Sequence, residues 1–323
     1  MIQIKKFTAT DKEFREIARI RNLVNHDSID HPDEDKNDWT IRDKSLIRDR
    51  LLCYNNNMLI GLLYYVQGRD ENSRTCFFNI VLDPQYYNNG YREILYQEML
   101  KKIKKFNGNK LFGHVYDHPN YRNHQKLLIK HNFKLVQTNR EYSCNIRQVN
   151  AKKYQPLIKK LESEGIKFYD SREEMLGFPN HYKKLEKLEW ILDQDIPHPD
   201  GIKPTRMPFE QWKKVVLDFY NNSYGVDIVA VKNGEYIGST DIEVYPKSEP
   251  HKGWTGGLGV IREFRRKGIA TALKIKAIEA LLKKGITEVR TDNEENNPMY
   301  KINVALGFKP VPFSFEYIKK IKD

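Results

Sequence analysis

A chain of 323 residues and 38.3 kDa is long for one domain and comfortable for two. Its 19 tyrosines and 15 phenylalanines can fill cores, which excludes wholesale disorder. The formal net charge of +12 suits anionic partners. The lysines nevertheless scatter in pairs such as Lys152-Lys153, Lys159-Lys160 and Lys283-Lys284, as they do on solvated helix faces, so no nucleic-acid partner is expected. No apolar run approaches the roughly 18 residues of a membrane span, and Met1–Phe7 has no signal-peptide core. Cys53, Cys76 and Cys144 lie far apart, which excludes a disulfide framework and a cysteine-based zinc site. A reduced, cytoplasmic protein is the expectation.

The predicted elements occur twice. An alternating stretch at Ile2 and Ile4 precedes Thr10-Asp11-Lys12-Glu13, a capping box that opens a helix carrying Phe14, Ile17, Ala18 and Leu23. The same arrangement returns at Ile166-Lys167-Phe168 with Ser171-Arg172-Glu173-Glu174, an offset of 161 from Thr10 to Ser171. Asn56-Asn57 turns into a strand through Gly61, and Asn233-Gly234 does so through Gly238, an offset of 177. A strand at Cys76–Leu82, a turn ending at Gly90 and a helix with Leu95 and Met99 match Leu258–Val260, Gly268 and a helix with Leu273 and Ala277, an offset of 178. His131-Asn132-Phe133 matches Leu306-Gly307-Phe308 at 175. Two copies of one α+β unit follow, with a helical stretch at Lys153–Glu164 between them, closed by Gly165. The expected boundaries are 1–148, a linking segment 149–165, and 166–323. The rise in offset places about 16 extra residues in the second copy, and the Pro-containing acidic stretch 193–208 is where they fit.

The stretch with most chemical content is Leu258-Gly259-Val260-Ile261-Arg262-Glu263-Phe264-Arg265-Arg266-Lys267-Gly268-Ile269-Ala270-Thr271. A strand enters a basic turn with one glycine, and a helix leaves it. Amides converging at a helix N-terminus form an anion site, and Gly268 is expected to let a phosphate approach closely. The pattern is neither a Walker loop nor a dinucleotide fingerprint, since both GK[ST] and GxGxxG are absent.

Here the chain resembles the GNAT superfamily of acyl-CoA-dependent N-acyltransferases. Arg265-x-x-Gly268-x-Ala270 fits the superfamily signature, and both the preceding strand and Leu306-Gly307-Phe308 stand at matching spacing. The resemblance implies two tandem GNAT-like domains, each a mixed, mostly antiparallel sheet flanked by helices. It implies that Arg265, Arg266, Lys267, Gly268, Ile269, Ala270 and Thr271 hold the coenzyme A pyrophosphate, and that Leu258, Gly259 and Val260 pair with pantetheine. Asn296 falls either beside pantetheine or at a helix N-cap. Many relatives carry a tyrosine acid five residues before the final Phe, where this chain has Asn303. Tyr300, one helical turn earlier, replaces it, or water protonates the thiolate. Glu243 and Glu288 are the candidate bases. The first copy departs from the pattern, with Tyr87 and Arg92 where the second has Arg265 and Ala270.

The implied activity is acetyl transfer from acetyl-CoA to a primary amine by direct attack, with the amide near Val260 polarising the oxyanion. Asp193, Asp195 and Asp200 are expected to meet a cationic acceptor. The alternatives are a non-catalytic coenzyme-binding or sensor module and an aminoacyl-tRNA-dependent transferase. No metal is expected at His114, His118, His124 and His131, which have no cysteine near them.

Overall fold

The computed structural model describes residues 1–323 apart from 26, 71–73, 199–201, 203, 298 and 322–323. Its backbone forms two compact units. Unit 1 is Met1–Arg140, His198–Thr205 and Pro312–Asp323, and unit 2 is Glu141–Pro197 and Arg206–Val311. Set beside the expected boundaries, residues 141–148 and the linking segment fall in unit 2, and residues 198–205 and the last dozen residues fall in unit 1.

Unit 1 contains β1 (Ile2–Lys6), α1 (Asp11–Val24), α2 (Pro32–Ile41), β2 (Arg48–Asn55), β3 (Met58–Gln67), β4 (Thr75–Leu82), α3 (Tyr91–Ile103), β5 (Lys110–Tyr116), α4 (Arg122–Lys130) and the first part of β6 (Lys134–Asn145). The Thr10 capping box forms as its spacing predicts: the Glu13 amide donates to Thr10 Oγ1 at 3.3 Å, and the Thr10 amide donates to Glu13 Oε2 at 3.0 Å. Period-two alternation splits the core between the two sheet faces. Leu51, Cys53 and Leu63 face the layer that holds Leu95 and Met99, while Leu52, Leu59 and Leu62 face Phe14 and Ile17.

The second copy begins with the end of β6 and continues through α5 (Gln155–Ser163), β7 (Ile166–Asp170), α6 (His181–Asp193), α7 (Phe209–Asn222), β8 (Val226–Lys232), β9 (Glu235–Val244), β10 (Lys252–Val260), α8 (Ile269–Lys283), β11 (Glu288–Glu294), α9 (Tyr300–Ala305) and β12 (Lys309–Pro310). Strand order is β6-β11-β10-β9-β8-β7. Ile228, Ala230 and Ile242 face α8, and Val229 and Val231 face α6 and α7. Among the described residues no helix is long and apolar enough to cross a membrane.

Two expectations are corrected. Ser171 opens no helix, and α6 starts only at His181. The Ser171 hydroxyl lies instead 3.1 Å from His181 Nε2 and 2.7 Å from the Tyr220 hydroxyl, inside the unit. The extra length is therefore divided. Ile2 to Ile166 is an offset of 164, Asp11 to His181 is 170, and Pro32 to Phe209 is 177, so residues are added both before and after α6.

The final strand, β13 (Ser314–Lys320), lies between β5 and β6 in unit 1. It pairs antiparallel with both, from Ser314↔Tyr116 to Lys320↔Lys110 on one side and from Ser314↔Asn139 to Ile318↔Lys134 on the other. Tyr317 and Ile318 are buried there, which is worth about 3–6 kcal/mol of the ~5–15 kcal/mol that holds a domain together. Residues 1–148 alone are therefore expected to show no cooperative thermal transition by circular dichroism, whereas the same fragment with 312–323 fused through a flexible linker regains one. A cooperative melt of 1–148 by itself would show that β13 is dispensable.

Candidate functional site

The site in unit 2 starts from a break in strand pairing. β10 and β11 run parallel for only three pairs, Lys252↔Glu288, Gly253↔Val289 and Trp254↔Arg290. Beyond these, β10 continues to Val260 and β11 to Glu294 without pairing to each other. The Ile261 amide donates to the Ile237 carbonyl on the β9 side at 3.0 Å. By alternation, Leu258 and Val260 turn their backbone groups to the opposite, open edge.

The turn that follows is locked from several sides. Arg266 and Gly268 both have left-handed φ, +61° and +85°. This conformation turns successive amides to one side, and the amides of Ile269, Ala270 and Thr271 precede the first helical bond of α8, from the Ala272 amide to the Gly268 carbonyl at 3.0 Å. Arg265 Nε donates to the Val260 carbonyl at 2.8 Å. Gly268 has a second reason to be glycine, because a Cβ there would lie 2.8 Å from Leu157 Cδ1 of α5. Phosphate approach is thus not the sole constraint at this position: a valine would strain the backbone and strike α5.

Asp195, two residues past the end of α6, pairs with two arginines of this turn. Its carboxylate accepts from Arg262 Nε at 3.1 Å and from Arg265 Nη2. The hydrogen bond from Arg262 is the main cause holding it below the usual carboxylate range. Asp193 ends α6, and Asp200 lies outside the described residues. Asn296 caps no helix. Its amide and Nδ2 donate to the Glu294 carboxylate at 3.0 and 2.9 Å, and Asn297 Oδ1 takes the Met299 amide.

The three expected catalytic side chains are not brought together. Glu243 on β9 is paired across from Trp254 and accepts from the Tyr245 hydroxyl at 2.8 Å. Glu288 opens β11 opposite Lys252, where it accepts from Ser143 Oγ at 2.6 Å and pairs with Arg290 at 3.1 Å. Both stand at the closed end of the β10–β11 pair, and Trp254 is six residues, roughly 20 Å of strand, from Val260. Tyr300 packs against the core of the unit at the start of α9. Asn303, at the position of the family tyrosine, is buried. It accepts from Lys274 Nζ at 2.5 Å and donates to Asn293 Oδ1 at 2.8 Å. Burial pushes the Lys274 amine down to about 7.

A different carboxylate group occupies the middle of the site. β10 bulges between Thr255 and Gly257, and the bulged residue is Gly256. Asp241 of β9 lies over the bulge: a Cβ on Gly256 would lie 2.0 Å from its Oδ2, so any larger residue there would have to displace the Asp241 carboxylate. Asp227 of β8 pairs directly with Asp241 across the strands. Glu189 of α6 covers the same face and accepts from Trp212 Nε1 at 2.6 Å. Burial first, and the charge of Asp227 next, push Asp241 up to about 7 and Glu189 up to about 8. Burial likewise raises Asp227 to about 6, although the Tyr220 hydroxyl donates to it at 2.7 Å. Directly opposed like charges destabilise a sheet, so a buried pair of this kind is a candidate functional site. In unit 1, Asp49 of β2 is paired with Tyr65, and no acid faces it across that pair. Sequence reading passed over Asp227 and Asp241. The available signal was a single acid inside each of two otherwise apolar or small-residue runs, Val226–Val231 and Tyr236–Ile242.

These shifts give the stability of unit 2 a sign. Each raised carboxylate keeps a proton in the folded state that the unfolded chain releases above about pH 4, so folding is favoured at the acid end and loses stability as pH rises through 6–8. Asp241→Asn is expected to melt higher than the parent at pH 9 by about 2–4 °C, corresponding to about 1 kcal/mol or more, and to converge with it near pH 5. A variant that is less stable than the parent at both pH values would contradict the raised carboxylate.

Comparison with known proteins fits this geometry. Residues 185–304 match the acetyltransferase (GNAT) family model. No curated protein matches the chain significantly. Among solved structures, a tandem GNAT protein from the clavulanic acid biosynthesis pathway is 14% identical, covers all of both chains and superposes with a TM-score of 0.78. A GCN5-related N-acetyltransferase from Sphaerobacter thermophilus is 16% identical, covering 100% of this chain and 96% of its own, with a TM-score of 0.71. A GCN5-related glucosamine N-acetyltransferase region of a fungal multi-domain GH3 β-N-acetylglucosaminidase is 13% identical, with 98% and 38% coverage and a TM-score of 0.74. At such identities the structures establish the fold. The chain has the tandem GNAT fold, an α+β architecture, and its second copy carries an acetyltransferase (GNAT) family domain.

Proposed function

We propose that unit 2 transfers an acetyl group from acetyl-CoA to a primary amine of a small molecule or peptide by direct attack in a ternary complex. The observation that carries this reading is the Asp227–Asp241 pair over the β10 bulge, next to a strand edge with unpaired amides. The basic turn Arg265–Thr271 supplies amides and positive charge for the pyrophosphate. Leu258 offers a donor and an acceptor to pantetheine, whose amides pair as an added strand would, while the Val260 carbonyl is taken by Arg265. The same edge carries Val260 N–H, which is in place to polarise the thioester carbonyl. Asn296, fixed by Glu294, borders the pantetheine path.

The acceptor arrives protonated and is drawn to the face that holds Glu189, Asp227 and Asp241. Asp241 takes its proton, and an affinity near neutrality suits a base working at that pH. The neutral amine attacks the thioester carbonyl, the C–N bond forms and the C–S bond breaks; the nitrogen gives its second proton to solvent, and the thiolate takes a proton from Tyr300 or from solvent. Asp227 keeps Asp241 basic by like-charge repulsion. Asp241 replaces Glu243 and Glu288 in this assignment.

Two outcomes check the reading. In a thiol-release assay with acetyl-CoA and a panel of cationic amines, Asp241→Asn should lower kcat by about 10²–10⁴-fold while coenzyme A affinity stays within twofold. The parent kcat/KM should rise through a pKa near 7. An Asp241→Asn enzyme with parental kcat would remove the base. Asp195→Asn should act on the other substrate. By freeing Arg262 and Arg265 it should weaken coenzyme A by about tenfold in calorimetry and leave the KM for the amine nearly unchanged. The reverse pattern would return Asp195 to the acceptor site.

A further inference from the structure

Unit 1 contains a buried cation with no acid beside it among the described residues. Arg92, the second residue of α3, is 8% exposed. Its Nη1 donates to the Ile80 carbonyl, its guanidinium carbon lies 5.5 Å from the centre of the Tyr87 ring, and its Nε has no partner. Ile80 stands on β4 two residues past Phe78, where the β4–β5 pairing ends. The Asp83 amide donates to Ile60 on the β3 side, so by alternation Ile80 turns its carbonyl to the open edge. Arg92 therefore fills the edge that the second copy leaves unpaired at Leu258.

His124 of α4 is the neighbour. It is 3% exposed, and neither ring nitrogen has a partner. The other three histidines of this stretch are engaged: His114 with Glu316 at 2.7 Å, His131 with Glu93 at 3.0 Å, and His118 with the Asn120 amide at 3.3 Å. The His124 ring stands edge-on to Phe78 at 5.9 Å. Arg92 is held at Ile80 and His124 against Phe78, two residues apart on β4, and the Arg92 charge acts on the His124 ring. Burial, and then the charges of Arg92 and His114, hold His124 neutral. The pair is peculiar to unit 1: counted from Gly90 and Phe133, the second copy has Ala270 and Met299 at these positions.

A buried guanidinium without a counter-ion, and a buried imidazole without a hydrogen bond, are both costly. One group relieves both: an acceptor of negative charge that takes the Arg92 Nε–H and the His124 N–H together. We propose that unit 1 binds a small oxyanion, a carboxylate or a phosphate group, between Arg92 and His124. The first copy has on this view exchanged its coenzyme path for an anion site.

The test reads His124 directly. Ring-nitrogen resonances of the full-length protein, with His124 assigned from His124→Gln, are followed while inorganic phosphate or sodium acetate replaces chloride at constant ionic strength. A saturable shift of His124 with at least one of the two is expected. Phosphate alone identifies a phosphate site, acetate alone a carboxylate site, and both the shared chemistry. Arg92→Met should weaken the binding by about tenfold or more. If that variant does not fold, Arg92→Lys, which keeps the charge but loses the Nε–H, should weaken it by at least about fivefold. No saturable shift with either anion, or parental affinity in the folded variants, would overturn the proposal.

Discussion

Everything at the site depends on the early end of pairing between β10 and β11. A strand that stops pairing leaves amides and carbonyls that must find other partners. Here the pairing ends at Trp254↔Arg290, and six further residues of β10 are presented on an open edge. The surroundings keep that edge fixed. Gly256 bulges, Arg265 ties the Val260 carbonyl, and Leu157 closes beneath Gly268. Asp195 couples Arg262 to Arg265. Under the proposed function, these groups are positioned before coenzyme A arrives, which lowers the ordering cost of binding.

The acids add chemistry to this scaffold. Asp227 and Asp241 oppose each other across two strands, and Glu189 closes over them from α6. A core selected for stability alone would replace such a pair. Keeping it raises the proton affinity of the members, and a raised carboxylate next to an open strand edge is what a base for an ammonium requires. The Tyr220 and Trp212 hydrogen bonds satisfy single oxygens and leave the like-charge repulsion in place.

The repeat was legible because its landmarks are conformational. Asn56, Asn57, Asn233 and Gly234 all have positive φ at the hairpins, as do Gly90 and Gly268 at the helix starts and Asn132 and Gly307 at the helix ends. Residue types that tolerate this geometry show directly in a sequence. The basic turn was legible for the same reason. The rest was not. Ser171 reads as a cap until its hydroxyl is seen bonded to His181 and Tyr220. The Asp227–Asp241 pairing needs the strand register, which one sequence does not supply. β13 follows the second copy in the chain but completes the first sheet, and no local pattern says which sheet a strand will join. Asp195 sits in an acidic loop by composition, yet its partners come from about seventy residues further on.

The two copies share one framework and differ at its open edge. In the first, the Arg92 side chain reaches the Ile80 carbonyl, and in the second the equivalent residue is Ala270. The account therefore predicts an alternating response along β10 alone. Amide hydrogen exchange, read residue by residue with and without coenzyme A, tests it most directly. Leu258 and Val260 should become protected by coenzyme A, Gly259, which points to β9, should change little, and Ile80 and Leu82 in unit 1 should not respond. Unaltered exchange at Leu258 and Val260, or equal protection at Ile80 and Leu82, would contradict the assignment of the coenzyme edge to the second copy.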